Sequence, residues 1–373
     1  MRNPTEILKI LREKSQDKSY RFQRLYRNLY NPEFYYLAYN NICTGQGNMT
    51  EGVDGQTIDG MSAERIEKII TALKDHSYQP NPARRIYIAK KNSDKKRPLG
   101  IQSAEDKLVQ EVVRMILESI YEPNFSQNSH GFRPGRSCHT ALKHIDINFK
   151  GAVWFVEGDI KACFDSFDHH VLISILRERI EDEYFLALIW KLLRAGYMEQ
   201  WDYHRTYSGT PQGSGVSPIL ANIYLDRLDR FIAAYKQSFD RGNSKNRKVD
   251  SGYLKARERY HKLEKSYQGL WKTASTEGKA AMDRELRAAR NEMFNHPYYA
   301  QCNSEYKSLQ YCRYADDFII GVIGSKQDAE RIKANVKNFL AEELKLTLSE
   351  EKTKITHTSE FARFLGYDIC ISR

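Results

Sequence analysis

The sequence predicts an α+β fold, and three observations carry that expectation. Short strand-like apolar runs interleave with helical patterns, but without the steady βαβ period of a doubly wound sheet. Two of those runs, 309–314 and 318–323, are separated only by Ala315, Asp316 and Asp317, the pattern of an antiparallel hairpin. Residues 237–304 differ in texture: they are polar, rich in Lys and Arg and poor in large aliphatics, so they read as an insertion rather than as core.

In chain order, residues 5–42 read as helical, with Ile7, Leu8 and Leu11 and later Phe22, Leu25, Tyr26 and Leu29 at three-to-four spacing. Gly, Asn and Asp punctuate 45–60, which predicts a loop. Ser62 is placed to cap a helix carrying Ile66, Ile69, Ile70 and Leu73. The β-rich runs 85–89 and 97–101 flank a lysine-heavy turn, which predicts two strands joined by a basic loop. Residues 104–121 fit a helix, the Gly and Pro residues of 130–135 end that section, and Ser137 is placed to cap the next helix. The run 153–160 is dense in β-branched and aromatic residues and predicts a strand. Helical patterns follow at 171–180 and 184–193, and a Gly/Pro/Ser-rich loop at 209–218 opens a helix at 219–235. The insertion has helical stretches near 253–271 and 278–293. A helix over 326–344 and a last strand near 364–369 complete the reading.

Composition excludes several classes. No apolar run in the 373 residues approaches the ~18–20 needed to span a membrane, so no membrane association is expected. The start lacks a secretory pattern, and the acidic residues Glu6, Glu13 and Asp17 argue against a transit peptide. The default compartment is the cytoplasm. Six scattered cysteines with no C-x-x-C pair argue against a zinc site or a disulfide framework. The net charge of +10 points to a polyanionic partner, most often nucleic acid. The excess is concentrated: 1–30 hold 8 Lys/Arg against 3 Asp/Glu, and 236–307 hold 16 against 9.

The chemistry-bearing residues are few. Adjacent carboxylates at a tight turn repel each other, so Asp316-Asp317 gains from a divalent cation, although such a pair alone is more often a polar turn. Asp159 ends a buried-looking strand, where a carboxylate is costly unless paired or metal-bound; it could equally cap the next helix. The loop at 209–218 allows close backbone approach to a ligand. It is not a phosphate-binding P-loop, because no Gly-Lys-Ser/Thr follows at the right spacing.

In order, Asp159-x4-Phe164-Asp165, Pro211-Gln212-Gly213 before a helix, and Tyr314-Ala315-Asp316-Asp317 resemble motifs A, B and C of reverse transcriptases. The longer strings S-G-T-P-Q-G-S-G-V-S-P-I-L-A-N-I-Y-L and R-Y-A-D-D-F resemble the bacterial group II intron-encoded reverse transcriptases, or maturases. So do I-Y-I-A-K, K-R-P-L-G-I, H-G-F-R-P-G-R-S, L-K-L-T-L-S-E-E-K-T-K-I and F-L-G-Y, and together they span most of 20–370.

The resemblance implies a right-hand polymerase. Its fingers would be 1–150 with a basic N-terminal RNA-binding extension, and its palm 151–236 with a fingers portion near 175–208. A basic helical insertion at 237–304 and a palm segment at 305–373 would follow, with an antiparallel palm sheet backed by helices. Because the chain stops at Arg373, a fingers-and-palm portion without a thumb is expected.

The resemblance also implies that Asp159, Asp316 and Asp317 hold two Mg2+ ions. Lys352 would protonate the leaving pyrophosphate, with Lys354 as the competing choice. Lys90, Arg97, Phe164, Gln212 and Gly213 would bind the incoming nucleotide, with Phe164 excluding a 2′-hydroxyl. His130, Phe132, Arg133 and Arg136 would contact template, although that segment could instead be a structural turn, and Arg21 and Arg24 would contact RNA. The partners implied are intron and template RNA, a DNA primer or target, and dNTPs; a homodimer is left open. The implied function is RNA-directed DNA synthesis together with help in splicing and mobility. The alternative is an RNA-binding splicing cofactor with little polymerase activity. Phe164, and Ala rather than Gly before Asp316, count against a viral RNA-dependent RNA polymerase.

Overall fold

The computed structural model describes residues 2–89, 96–200, 202–210, 213–243, 247–296, 298–300 and 305–371. They fall into two compact units. One comprises Met1–Ser137, Ile160–Arg230 and Asn338–Leu348, and the other Cys138–Asp159, Phe231–Lys337 and Ser349–Arg373.

The helix expected over 5–42 is broken in two. Helix α1 (Pro4–Ser15) is capped by Asn3, whose Oδ1 accepts from Thr5 N at 2.8 Å. Helix α2 (Pro32–Ile42) is capped in the same way by Asn31, which accepts from Glu33 N at 3.2 Å. Pro32 lacks an amide hydrogen and is tolerated only in a helix's first turn, so the pattern has to restart there. Between the two, Phe22 is bridged to the chain at Ile180: its N–H donates to Arg179 O at 2.8 Å and its carbonyl accepts from Glu181 N at 2.9 Å. Ser62 caps α3 (Ala63–Lys74) as expected, accepting from Arg65 N at 3.3 Å.

Strands β1 (Ala83–Ala89) and β2 (Lys96–Ile101) pair antiparallel from Arg84↔Ile101 to Ala89↔Lys96. Helix α4 (Ala104–Tyr121) follows, buried along most of its length and carrying Leu108, Val109, Val112, Val113 and Ile116 into the core. Its first turn holds the buried Asp106, which accepts from Tyr78 Oη at 2.5 Å, Ser103 Oγ at 2.5 Å and Asn81 N at 2.9 Å. Burial pushes this carboxyl's pKa up, and the three donors oppose the rise. Asp106→Ala strands those donors and is expected to cost about 1–3 kcal/mol. The loss should read as a lower urea midpoint at unchanged m-value.

Helix α5 (Cys138–Asn148) and strand β3 (Trp154–Asp159) belong to the second unit. The chain then returns to the first unit with α6 (Cys163–Ser166), α7 (His169–Arg177) and α8 (Glu183–Arg194). A hairpin not expected from the sequence comes next, β4 (Tyr197–Glu199) and β5 (Asp202–His204). β4 joins the start of β1 in parallel, Ala83↔Tyr197, giving the order β2-β1-β4-β5. Three residues per strand are too few for alternation to stand out in a sequence. Helix α9 (Ser217–Phe239) opens after the glycine-rich loop.

In the second unit, α10 (Ser251–Leu270) and α11 (Thr276–Asn295) form the basic segment as an antiparallel pair joined by ion pairs such as Arg259–Glu292 at 2.9 Å. Strands β6 (Ser308–Tyr314) and β7 (Asp317–Ile323) form the expected hairpin, followed by α12 (Lys326–Glu342), whose residues from Asn338 on belong to the first unit, and by β8 (Ile355–His357). The sheet order is β6-β7-β3-β8, antiparallel throughout. Ile145, Phe149, Phe155, Ile319 and Phe364 pack as one buried cluster. The single last strand expected is instead a hairpin, β9 (Ala362–Phe364) and β10 (Tyr367–Ile369), turning at Leu365-Gly366. No helix among the described residues is long and apolar enough to cross a membrane.

Candidate active site

Strand β3 carries buried Phe155 and Val156 and ends at Asp159. Its antiparallel register with β7 sets Gly158 opposite Phe318 and Asp159 opposite Asp317. A Cβ on Gly158 would lie 2.1 Å from the Phe318 ring, so only glycine lets that ring cover the strand next to Asp159. On the other side of β7, Tyr314↔Asp317 closes the turn that contains Ala315 and Asp316. Ala315 is left-handed at φ 56°, a conformation disfavoured for a residue with a Cβ. It is held by Arg313, a fully buried side chain whose Nη1 donates to Ala315 O at 2.9 Å. Sequence reasoning missed Arg313; the available signal was a guanidinium inside an otherwise apolar strand. Glu157 was missed as well. It accepts from Thr356 Oγ1 at 2.5 Å and from Arg363 N at 3.0 Å, tying β8 and β9 to β3.

The carboxylates are electrostatically unequal. Asp317 is pushed up to about 7, first by burial and then by the negative charge of Asp316 and Asp159. Asp159 has a standing counter-ion: Lys352 Nζ donates to its Oδ1 at 2.9 Å and its Oδ2 at 3.0 Å. That contact raises the pKa of Lys352. A turn fixes the lysine's approach, with Ser349 N donating to Asp159 O at 2.8 Å and Lys352 N to Ser349 O at 3.2 Å. Of the two lysines considered, Lys352 is the one whose ammonium contacts Asp159. Lys354 is tied to the sheet by its backbone, which exchanges hydrogen bonds with Glu157, and its side chain is exposed.

Among the described residues no three carboxylate, imidazole or thiolate groups form a ready-made ion cage. What this unit offers is two carboxylates opposed across a sheet, a third in the adjoining turn, and excess negative charge. All are hard oxygen donors of the kind Mg2+ takes, so the donor chemistry fits a divalent cation.

The other expected residues divide. Lys90 and Gln212 lie outside the described residues. Arg97, exposed on β2, Phe164 and Gly213 all belong to the first unit. Gly213 adopts φ 104°, and a Cβ there would meet Gly100 O and a Leu99 methyl at 2.8 Å. Phe164 and Phe132 come together edge to face, with ring centroids 5.9 Å apart. Arg21 and Arg24 are exposed.

Arg133 departs from the expected template contact. Its buried guanidinium is committed to Glu122 at 2.9 Å, Ser126 O at 2.6 Å and Ser129 O at 2.8 Å. A cation spent on internal acceptors shapes the turn instead of reaching a strand. Arg136 likewise donates to Gln127 O at 2.7 Å, and His130 is buried. Of the four, Phe132 is the exposed side chain.

Residues 88–247 and 279–369 match the family described as reverse transcriptase (RNA-dependent DNA polymerase). The group II intron-encoded protein LtrA of Lactococcus lactis subsp. cremoris is 52% identical over 352 residues, covering 94% of this chain and 57% of that protein. Protein YkfC of Escherichia coli K12 is 33% identical over 367 residues, covering 96% and 85%. Among solved structures, telomerase from Candida albicans aligns with 80% of this chain and 46% of its own, with TM-score 0.46 and 13% identity. The chain belongs to the reverse transcriptase family. It spans little more than half the length of LtrA, 57%.

Proposed function

We propose that the chain copies RNA into DNA by metal-assisted nucleotidyl transfer at Asp159, Asp316 and Asp317. The observation that carries this reading is the opposition of Asp159 and Asp317 across β3 and β7, with Asp316 in the adjoining turn. Two Mg2+ ions held by these carboxylates would supply activation of the primer 3′-hydroxyl and neutralisation of the leaving pyrophosphate. The chain's own residues prepare that chemistry. Arg313 holds the hairpin that presents Asp316 and Asp317. Lys352 balances Asp159 until that carboxylate is engaged elsewhere; its ammonium then loses the contact that raises its pKa and becomes a better acid toward a leaving oxygen.

Arg97 and Lys90 would grip the triphosphate, a guanidinium suiting two-point phosphate contact, and Gln212 and Gly213 would border the nucleotide. Phe164 would close the space beside the sugar's 2′-carbon. In this reading 1–150 and 175–208 serve as fingers, and 151–236 with 305–373 as palm. The deciding experiment is primer extension on an RNA template with dNTP and rNTP in competition. Phe164→Ala is expected to raise rNTP use relative to dNTP by about 10-fold or more, since one wrongly sized contact is worth about 1–3 kcal/mol. An unchanged ratio would remove Phe164 from sugar selection.

A second reading runs beside the first: the chain grips a folded intron RNA and assists its splicing. It is favoured by the exposed Arg21 and Arg24 and by the basic α10–α11 pair. Binding should fall steeply with salt and prefer intron RNA over an unrelated RNA of equal length.

A further inference from the structure

The first unit carries a concavity on the face of the β1–β2 ribbon opposite Arg97. Alternate residues of a strand point to opposite faces. The pairs Arg85↔Gly100 and Tyr87↔Pro98 put Arg85, Pro98 and Gly100 on one face, and the pairs Ile86↔Leu99 and Ile88↔Arg97 put Leu99 and Arg97 on the other. A cavity of about 310 Å3 opens on the Arg85 side, and Tyr197, Arg205, Tyr207, Thr210 and Asp165 also line it. That volume is at the small end for ligand sites, room for one nucleotide and not for a duplex.

Its lining specifies an occupant. The Arg85 guanidinium lies over the Tyr197 ring, 3.4 Å from its centroid, and Arg85 Nε is buried without a hydrogen-bond partner. Thr210 Oγ1 has none either, although the residue is only 2% exposed. Native proteins satisfy nearly all such groups, so a buried hydroxyl and guanidinium nitrogen left unpaired among the residues that line one cavity point to a polar ligand. Tyr207, 73% exposed, offers a free aromatic face of the kind on which bases stack. Arg205 adds an exposed guanidinium. Two guanidiniums against the one carboxylate of Asp165 leave a single positive charge, which suits one phosphate and disfavours a triphosphate.

We propose that this cavity binds one nucleotide carrying one phosphate. The base stacks on Tyr207, the phosphate sits with Arg205 and Arg85, and a sugar or base oxygen accepts from Thr210. The phosphate belongs either to a strand, as a phosphodiester, or to a free nucleoside monophosphate. This site goes beyond the polymerase reading and does not depend on it.

The test is ligand-observed NMR titration of the whole chain in EDTA, where no polymerase chemistry can contribute. The probes are the dinucleotide ApA, adenosine 5′-monophosphate and adenosine 5′-triphosphate. ApA, the monophosphate or both should bind saturably, and the triphosphate no more tightly than the monophosphate. Arg205→Ala and Tyr207→Ala, both at exposed positions, should each weaken the bound probe by about 5-fold or more. Loss confined to ApA identifies a strand site, and loss confined to the monophosphate a free-nucleotide site. The proposal is overturned if neither probe saturates, if the double variant binds as the parent does, or if the triphosphate binds most tightly.

Discussion

Asp159→Ala is expected to lower metal-dependent dNTP incorporation on an RNA template by about 10³-fold or more, because the ion chemistry proposed for it is worth several kcal/mol. The chain should remain folded. The substitution removes the partner of Lys352, a side chain that is mostly exposed, so no buried cation is stranded. The strand itself is set by β3's pairing with β7 and β8, which uses backbone groups the substitution leaves in place. Primer extension across a Mg2+ series, with far-UV circular dichroism as the folding control, checks both halves. Incorporation within about tenfold of the parent at saturating Mg2+ would remove Asp159 from the chemistry. Lys352→Ala should behave differently. It releases Asp159 from its counter-ion, so apparent Mg2+ affinity should rise even as turnover falls.

Much of this site was legible in the sequence because its signals are local. The hairpin around Asp316 and Asp317 lies between two apolar runs, and Asp159 ends a strand dense in β-branched and aromatic residues. What stayed hidden depends on which way a side chain turns and what it meets, which no pattern of residue types announces. Arg133 looks like any basic residue in a glycine-rich segment until Glu122 and two carbonyls are found around its guanidinium. Arg313 reads as an interruption of a strand until the left-handed Ala315 beneath its reach explains it. Helix breaks follow the same division: Asn31-Pro32 is a readable helix start, an N-cap followed by a first-turn proline, inside a span read as one helix. The β4–β5 hairpin was invisible because three-residue strands carry too little pattern, yet it lines the cavity for which a second nucleotide is proposed.

Asp317→Asn is expected to stabilise the metal-free chain at pH 8 relative to the parent, and to lose that advantage below about pH 4. The sign follows from the direction of the shift. Asp317 is raised from an ordinary carboxylate value to about 7 by burial and by its two acidic neighbours. Between those two values the folded chain therefore holds a proton that the unfolded chain has released. Stability from this group is fully present below the unfolded value and falls as pH rises through about 7. Asparagine never ionises, so the variant escapes that loss, and each kcal/mol kept should lift Tm by roughly 2–4 °C or somewhat less for a chain of this size. Mg2+ acts in the opposite sense, because a cation favours the ionised carboxylate and its binding expels the proton. Adding Mg2+ at pH 8 should accordingly raise the parent's Tm more than the variant's. Differential scanning calorimetry of both proteins at pH 4, 6 and 8, with EDTA and with Mg2+, reads all of these differences. A parent that gains nothing from Mg2+ at pH 8, or a variant no more stable than the parent in EDTA, would sink the assignment of Asp317 as a strained carboxylate awaiting a cation.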